Sequence, residues 1–323
     1  MPLDHPEEVT RHWLRLQLAR PTDEALLEKC LDWIVEPGHH FISQQDARYP
    51  PLLLQIADPP PGLFVRGRPE LLRAESLAIV GSRNATPIGR RDAFDFAAAL
   101  SRRGICIASG LALGIDAAAH RGALSAAGSS IAVLGTGPDI VYPKENAALA
   151  AELAERGCVV TELPVGVRPQ PRNFPKRNRL ISGLARGVLV VEAALKSGSL
   201  ITAYEASRQN REVFALPGSI HATLSKGCHA LLREGAKLVE HAGHIVEEIA
   251  AWPQYGGEAE DSRTVRHGKG SAFLDAMGFA PVSIDAVARL TGLGARESAS
   301  RLAHLEIEGS VARLGGGLYQ RKP

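Results

Sequence analysis

The feature that most constrains this chain is an alternation that repeats through its middle. Apolar runs of strand length recur at Leu77–Val80, Ile105–Ala108, Ile131–Leu134, Val159–Thr161, Val188–Val191, Val213–Leu216 and Lys237–Val239. Between most of them lie alanine-rich segments of helical periodicity, such as Arg91–Arg102, Ala117–Ala127 and Ala147–Arg156. Runs that are apolar on both sides, joined by crossover helices, predict an α/β fold with a parallel sheet covered on both faces. In such sheets ligands sit at the carboxyl ends of the strands.

Regions of different charge flank that core. Residues 1–70 carry 7 cations against 11 acids. They include a predicted helix over Asp23–Val35, with Leu26, Leu27, Cys30, Leu31 and Ile34 at helical spacing, and a proline-rich connector at Asp58-Pro59-Pro60-Pro61. Residues 71–250 carry 21 cations against 16 acids. Residues 251–270 are polar and glycine-containing and read as a linker to a small domain over 271–323. That domain is predicted to hold helices at Ser283–Leu290 and Ala295–Glu308. A hairpin wing follows, from Val311–Leu314 through Gly315-Gly316-Gly317 to Leu318–Gln320.

The net charge of +2 over 323 residues excludes a polycation that binds anions indiscriminately. No apolar run is long enough to span a bilayer. Asp4, Glu7 and Glu8 stand where a secretory signal needs cations, so a cytoplasmic location is expected. Cys30, Cys106, Cys158 and Cys228 are far apart and form no C-x-x-C pair; reduced thiols are expected, without a zinc site or disulfide framework.

The unusual residues fall at the predicted strand ends. The first strand runs into Gly81-Ser82-Arg83, where glycine lets a ligand approach the backbone. Ser82 offers a hydroxyl there, and Arg83 can grip a phosphate. An ordinary strand-to-helix turn would read the same way. No G-x-G-x-x-G follows this strand and no G-x-x-x-x-G-K-[ST] occurs anywhere, so no nucleotide cofactor is expected. Asp116 and His120 share a helix face; their expected roles are a helix cap and a packed side chain. Cys228 and His229 are adjacent, which points them apart and argues against a catalytic dyad. The stretch Arg168 to Arg186 carries six cations (Arg168, Arg172, Lys176, Arg177, Arg179, Arg186) with no acid among them. Pro169, Pro171 and Pro175 are expected to keep its first half extended. Phe174 can stack on a base or sit in the core, and Asn173 and Asn178 add amides. Cations that track phosphates beside an aromatic surface suit single-stranded nucleic acid. Further on, Lys196-Ser197-Gly198-Ser199 opens a helix as an anion nest, with Thr202 one turn later. Glu192 reads as a structural acceptor, since no nucleophile accompanies it. These features describe a polyanion that is held and not cleaved; no catalytic residue and no metal ligand is assigned.

The segments Ala78-Ile79-Val80-Gly81-Ser82-Arg83, Ser109-Gly110-Leu111-Ala112 with Gly114-Ile115-Asp116 and Ala119-His120, Phe174-Pro175-Lys176-Arg177-Asn178-Arg179, and Ser197-Gly198-Ser199-Leu200-Ile201-Thr202-Ala203 together resemble the DprA/Smf DNA-processing family. Order and spacing match through Pro217-Gly218 and Gly227-Cys228, and Tyr49-Pro50 and Asp58-Pro59-Pro60 fit the family's leading segment. The resemblance implies a Rossmann-like domain that binds single-stranded DNA, usually as a homodimer. It implies a recombination mediator that protects incoming strands in natural transformation and loads the RecA recombinase, without catalytic turnover. It carries DNA contact over to Gly81, Ser82, Arg83, Lys176, Arg177, Asn178, Arg179, Ser197, Gly198 and Ser199; Arg172 and Thr202 join them from the residue reading. Some positions depart from the pattern. Arg15–Leu31 lacks the family's glycine turn, so the N-terminal domain reads as abbreviated. His229 replaces a usual Asn, and Asn210 a common Gly. The C-terminal segment resembles the family's winged-helix domain. It mixes Arg296 and Arg301 with Glu297, Glu306 and Glu308, leaving duplex DNA and protein contact both open. The alternative function is a nucleotide-phosphate hydrolase on a related fold, whose P-G-G-x-G-T loop finds a partial echo in Pro217-Gly218-Ser219.

Overall fold

The computed structural model describes residues 6–18, 24–249 and 272–322; the linker expected at 251–270 lies outside the described residues. Two helices lead, α1 (Pro6–Leu18) and α2 (Glu24–Ile34), followed by strands β1 (His39–Ser43) and β2 (Gly62–Gly67). The alternating region then runs β3 (Ser76–Val80), α3 (Pro87–Arg102), β4 (Cys106–Ser109), α4 (Ile115–Leu124), β5 (Ser130–Val133), α5 (Ala147–Arg156) and β6 (Cys158–Thr161). It continues α6 (Asn173–Leu184), β7 (Gly187–Val190), α7 (Gly198–Arg208), β8 (Glu212–Ala215), α8 (Lys226–Arg233), β9 (Lys237–Leu238) and α9 (Ala242–Glu248). The C-terminal unit is α10 (Ala272–Met277), β10 (Val282–Ser283), α11 (Ile284–Thr291), α12 (Ala295–Ile307), β11 (Val311–Arg313) and β12 (Leu318–Arg321).

Nine strands form one sheet in the order β1-β2-β6-β5-β4-β3-β7-β8-β9. From β6 to β9 every pairing is parallel; β2 pairs antiparallel with both β6 and β1. The sheet therefore reaches back well before position 71. Two-residue periodicity sends alternate side chains to opposite faces. Ala78, Val80, Val188 and Val190 pack with Leu180, Ile181, Leu200 and Leu231 of α6, α7 and α8. Leu77, Ile79, Leu189 and Val191 pack with Phe96, Leu100, Ala118 and Ile245 of α3, α4 and α9. Every strand residue from Ser76 to Val80 and from Gly187 to Val190 is buried, as a sheet covered on both faces requires.

The N-terminal helices pack a separate small core against the sheet edge, with Leu14, Leu27, Cys30 and Trp33 on Phe41 and Phe64. Gln17 joins them to the sheet: its Oε1 accepts the Gly62 N–H at 2.9 Å and its Nε2 donates to the Glu162 carbonyl at 2.5 Å. Asn210 takes a positive φ of 55° before β8. Asn tolerates that left-handed turn better than other side chains, which accounts for its standing where glycine is common. In the C-terminal unit, Phe273, Met277, Val287, Leu302, Val311 and Tyr319 form a core over the three-stranded sheet β10-β12-β11. Ser283 caps α11 through the Ala286 N–H at 3.2 Å. The four cysteines are buried and unbridged. Among the described residues no helix is long and apolar enough to cross a membrane.

Candidate nucleic-acid interface

Strand order reverses between β3 and β7, so the loops leaving these neighbours diverge and open a crevice at their carboxyl ends. A cavity of about 540 Å³ occupies it. Gly81 and Arg83 line one wall, the start of α6 another with Phe174, Arg177 and Asn178, and the start of α7 a third from Ser197 to Thr202. Tyr142 reaches in from the loop after β5.

The N-termini of α3 and α7 are used differently. At α3, Thr86 is the cap, and its Oγ1 accepts the Gly89 N–H at 2.9 Å. The Glu192 carboxylate then accepts from the Thr86 N–H at 2.9 Å and from its hydroxyl at 2.6 Å. The N-terminus of α3 is thus occupied by a carboxylate of the same chain. Burial pushes the Glu192 carboxyl above its ordinary value, and the Thr86 hydrogen bonds pull it back. Its expected role as a structural acceptor agrees with this geometry. At α7, no carboxylate intervenes. Ser197 caps the helix, accepting from the Ser199 N–H at 3.3 Å with its hydroxyl 2.6 Å from that of Ser199. This end faces the cavity, and Asn178 Nδ2 ties α6 to it by donating to the Gly198 carbonyl at 3.3 Å. Thr202 lies buried one turn below.

The loop after β3 is held by its backbone. Ser82 N–H donates to the Glu192 carbonyl at 2.7 Å, the Ser82 carbonyl accepts from Ile115 N–H at 3.2 Å, and Ser82 Oγ accepts from Asn84 N–H at 3.1 Å. Arg83 stays exposed, its guanidinium 5.6 Å from the centroid of the Phe174 ring. Phe174 and Tyr142 lie 5.5 Å apart, tilted by 38°. A Cβ on Gly135 would come within 2.8 Å of Phe174, so the glycine after β5 makes room for this ring. Phe174 is half-buried, with protein behind it and the cavity in front.

The acid-free run resolves into two kinds of cation. Helix α6 begins at Asn173, so Pro175 does not extend the chain as expected; it sits in the first helical turn, where a missing N–H removes no helical bond. Arg168, Arg172 and Lys176 are exposed, with Arg172 Nε donating to Gln170 at 2.9 Å. The others turn inward. Arg177 is buried and donates to the Gly110 carbonyl at 2.8 Å and to the Val133 carbonyl. Arg179 pairs with Glu162, with Asp58 at 3.7 Å. Arg186 pairs with Glu75. Acids missing from the run are supplied from outside it, by Glu162 just before it and by Asp58 and Glu75 from distant segments. Burial lowers Arg177 to about 10, with the nearby Asp116 charge opposing that shift, so it stays cationic at neutral pH.

The Asp116 carboxylate does not cap the Ala117–Ala119 turn. Its Oδ2 accepts the Gly110 and Ala112 N–H groups at 3.1 and 3.3 Å and braces the loop before its own helix. A Cβ on Gly110 would lie 2.6 Å from Arg177 Nη2 and 2.8 Å from Asp116 Oδ2, so only glycine fits between them. The Asp116–Gly110–Arg177 floor is the part of the site that the sequence reading missed. The pair of glycines in Ser109-Gly110-Leu111-Ala112-Leu113-Gly114 was its signal. His120 is packed as expected, fully buried with Nδ1 2.7 Å from Ser130 Oγ.

Residues 40–250 match the family described as DNA recombination-mediator protein A, and residues 269–317 match the DprA winged helix domain. The chain belongs to the DNA recombination-mediator protein A family. Protein Smf of Escherichia coli is 42% identical over 298 residues, covering 90% of this chain and 80% of that protein. The X-ray structure of DNA processing protein A (DprA) from Streptococcus pneumoniae is 42% identical with a TM-score of 0.65, over 70% of this chain and 78% of that one. A structure of DNA processing protein A from Helicobacter pylori, whose description concerns its single-stranded DNA binding mode, is 29% identical with a TM-score of 0.59. It matches over 64% of this chain and 94% of its own. The alternating core, the N-terminal helices and the winged-helix unit are thus those of a DprA-family recombination mediator. The crevice described above lies within the matched core.

Proposed function

We propose that the cavity between β3 and β7 holds single-stranded DNA. The observation that carries this reading is the convergence there of an exposed Arg83, a tilted Phe174–Tyr142 pair and the open N-terminus of α7. Arg83 and Lys176 grip phosphates, Ser197 and Ser199 with the α7 amides add neutral donors, and the aromatic pair stacks on a base. Gly81 keeps the backbone close to the strand, and Ser82, Asn178, Gly198 and Thr202 shape the wall. Arg172 adds charge at the approach. Arg177 and Arg179 act from within: they position α6 and raise the local potential, Arg177 held on the Gly110 and Val133 carbonyls and Arg179 on the Glu162 carboxylate. The strand is bound without turnover. Among the described residues lining the cavity the sole carboxylate is Asp116, and two amides already engage it. This weighs against the nucleotide-phosphate hydrolase reading, as does the capture of Glu192 by Thr86.

Strand binding in turn supports protection of incoming DNA in natural transformation and loading of RecA by a homodimer. Fluorescence anisotropy with oligo-dT at two salt concentrations tests the binding. Affinity should fall steeply as salt rises, because each neutralised phosphate releases counterions. Salt-independent or absent binding would overturn the assignment. RecA-dependent strand exchange with and without the protein tests the loading step.

A further inference from the structure

The carboxyl end of the sheet continues beyond the cavity, over the start of α7 and the ends of β7 and β8. Two segments meet there. Ala193 N–H donates to the Leu224 carbonyl at 2.6 Å, and Gly227 N–H donates to the Ala193 carbonyl at 2.7 Å. This zips the β7–α7 loop to the loop before α8. The joined surface exposes Leu195 and Ile220, at 61% and 66%, beside the exposed Lys196 and Lys226. The β8–α8 loop is anchored from behind. Lys226 Nζ donates to the Ile220 carbonyl, and His229 Nε2 meets the Gly218 carbonyl at 3.0 Å.

Acids are segregated away from this surface. No Asp or Glu occurs between Glu192 and Glu205, or between Glu212 and Glu234. Glu192 is turned to Thr86. Glu205 lies well along α7, away from the strand ends, and bonds Arg208 at 2.7 Å. Glu212 opens β8 at the opposite end of the sheet and meets Lys237 at 3.1 Å. What remains is a positive, partly apolar ledge that adjoins the cavity wall at Ser197.

We infer that the bound strand leaves the cavity across this ledge. Lys196 and Lys226 neutralise its phosphates, and Leu195 and Ile220 receive its bases. This rests on the strand-binding reading above and adds a direction to it: the track runs from the Arg168–Lys176 side, through the crevice, towards β8. Apolar side chains flanked by lysines and free of acids match what an unpaired strand offers, bases on one side and phosphates on the other. A protein partner would be the other occupant of such a ledge, and the test separates the two.

The test is anisotropy on the full chain with oligo-dT of graded length, comparing wild type, Ile220→Asp with Lys226→Gln, and Lys196→Glu. Wild-type affinity should rise with length until the ledge is filled. The variants should lose that rise, with about a tenfold weaker grip on long oligonucleotides. Their salt slope should fall by about 0.7 for each cation removed. Lys226→Arg should restore binding if the charge matters and not merely the loop anchor. An unchanged length dependence in folded variants, with wild type still binding, overturns the track and spares the cavity. Variants that alter sedimentation mass but not DNA affinity assign the ledge to a protein partner and overturn the inference. Failure of wild type to bind any oligonucleotide overturns both.

Discussion

The end of the large sheet and the helix α12 of the winged-helix unit both carry arginines, but in different electrostatic settings. On α12, Arg301 pairs with Glu297 at 2.9 Å and His304 meets Glu308 at 3.1 Å, each one turn apart. The neighbouring Arg321 is held by Asp275 at 2.9 Å. At the sheet end, Arg83 and Lys176 are exposed, and the acids closest to the crevice are engaged by backbone amides or by Thr86. Cation counts in the sequence do not distinguish the two regions. What does, for Arg301 and Arg321 against Arg83 and Lys176, is whether the cation's acid is local, so that the pair cancels, or is taken up elsewhere, so that the charge projects.

The largest effect should come from removing the charge that the sheet end holds internally. Arg177→Met leaves the Gly110 and Val133 carbonyls without a donor and Asp116 without its cation, in a fully buried setting. Breaking such a buried arrangement costs about 3–5 kcal/mol. Urea unfolding of the sheet domain should show this, whereas Arg301→Met on exposed α12 should change stability by less than about 0.5 kcal/mol. Equal losses would erase the distinction between the regions.

Acid should separate them next. The Ser130 hydroxyl donates to the Ile107 carbonyl at 2.6 Å, so His120 Nδ1–H is the donor to Ser130, and the buried Nε2 has no partner. Desolvation, reinforced by the Arg177 and Arg121 charges, lowers His120 to about 3. The unfolded imidazole titrates near its ordinary value of about 6.5 and so takes up the proton first. The contribution of neutral His120 is therefore complete above about pH 6.5 and lost as pH falls toward 3, at about 1.4 kcal/mol per pH unit. The winged-helix unit's described histidine, His304, is exposed and not buried in a core. Calorimetry from pH 7 to 4 should show the sheet domain's transition falling faster, and His120→Gln should flatten the difference.

Function is affected more selectively. Arg83→Glu with Lys176→Glu should weaken oligo-dT binding about a hundredfold at low salt while the fold persists, since both side chains are exposed. Phe174→Ala should weaken it by roughly tenfold through lost stacking. If Phe174→Ala left affinity unchanged, the ring would be reassigned to supporting Gly135 and Arg83.

How much of this was legible beforehand follows from the range of the forces involved. The strands and their crossovers declare themselves locally, because a doubly covered strand needs a continuous apolar run; each run from Leu77 to Val239 became a strand. The cap at Ser283 and the nest at Ser197–Ser199 are likewise short-range patterns. Less visible was which cations in Arg168–Arg186 are free, because Glu75, Asp116 and Asp58 approach from far along the chain. The same limit hid the fate of the α3 N-terminus, filled by Glu192 more than a hundred residues away. Lys176 and Arg177 are adjacent in sequence, yet one faces solvent and the other the floor of the crevice. That division depends on Gly110, whose missing Cβ leaves space for a guanidinium.

The smallest effect is the one that most directly tests the comparison. Arg301→Glu reverses a charge on α12, a change as large on paper as Arg83→Glu. Its guanidinium is already neutralised by Glu297 and lies 5.8 Å from the Phe273 ring centroid, so little positive potential projects from it. Oligo-dT affinity of the full chain should then be unchanged within about twofold, and its salt slope should not move. A loss of slope near 0.7 would mean that the strand also reaches the winged-helix unit and displaces Glu297 from Arg301. In that case local pairing would not silence a cation, and the contrast between the two regions would have to rest on their position along the DNA.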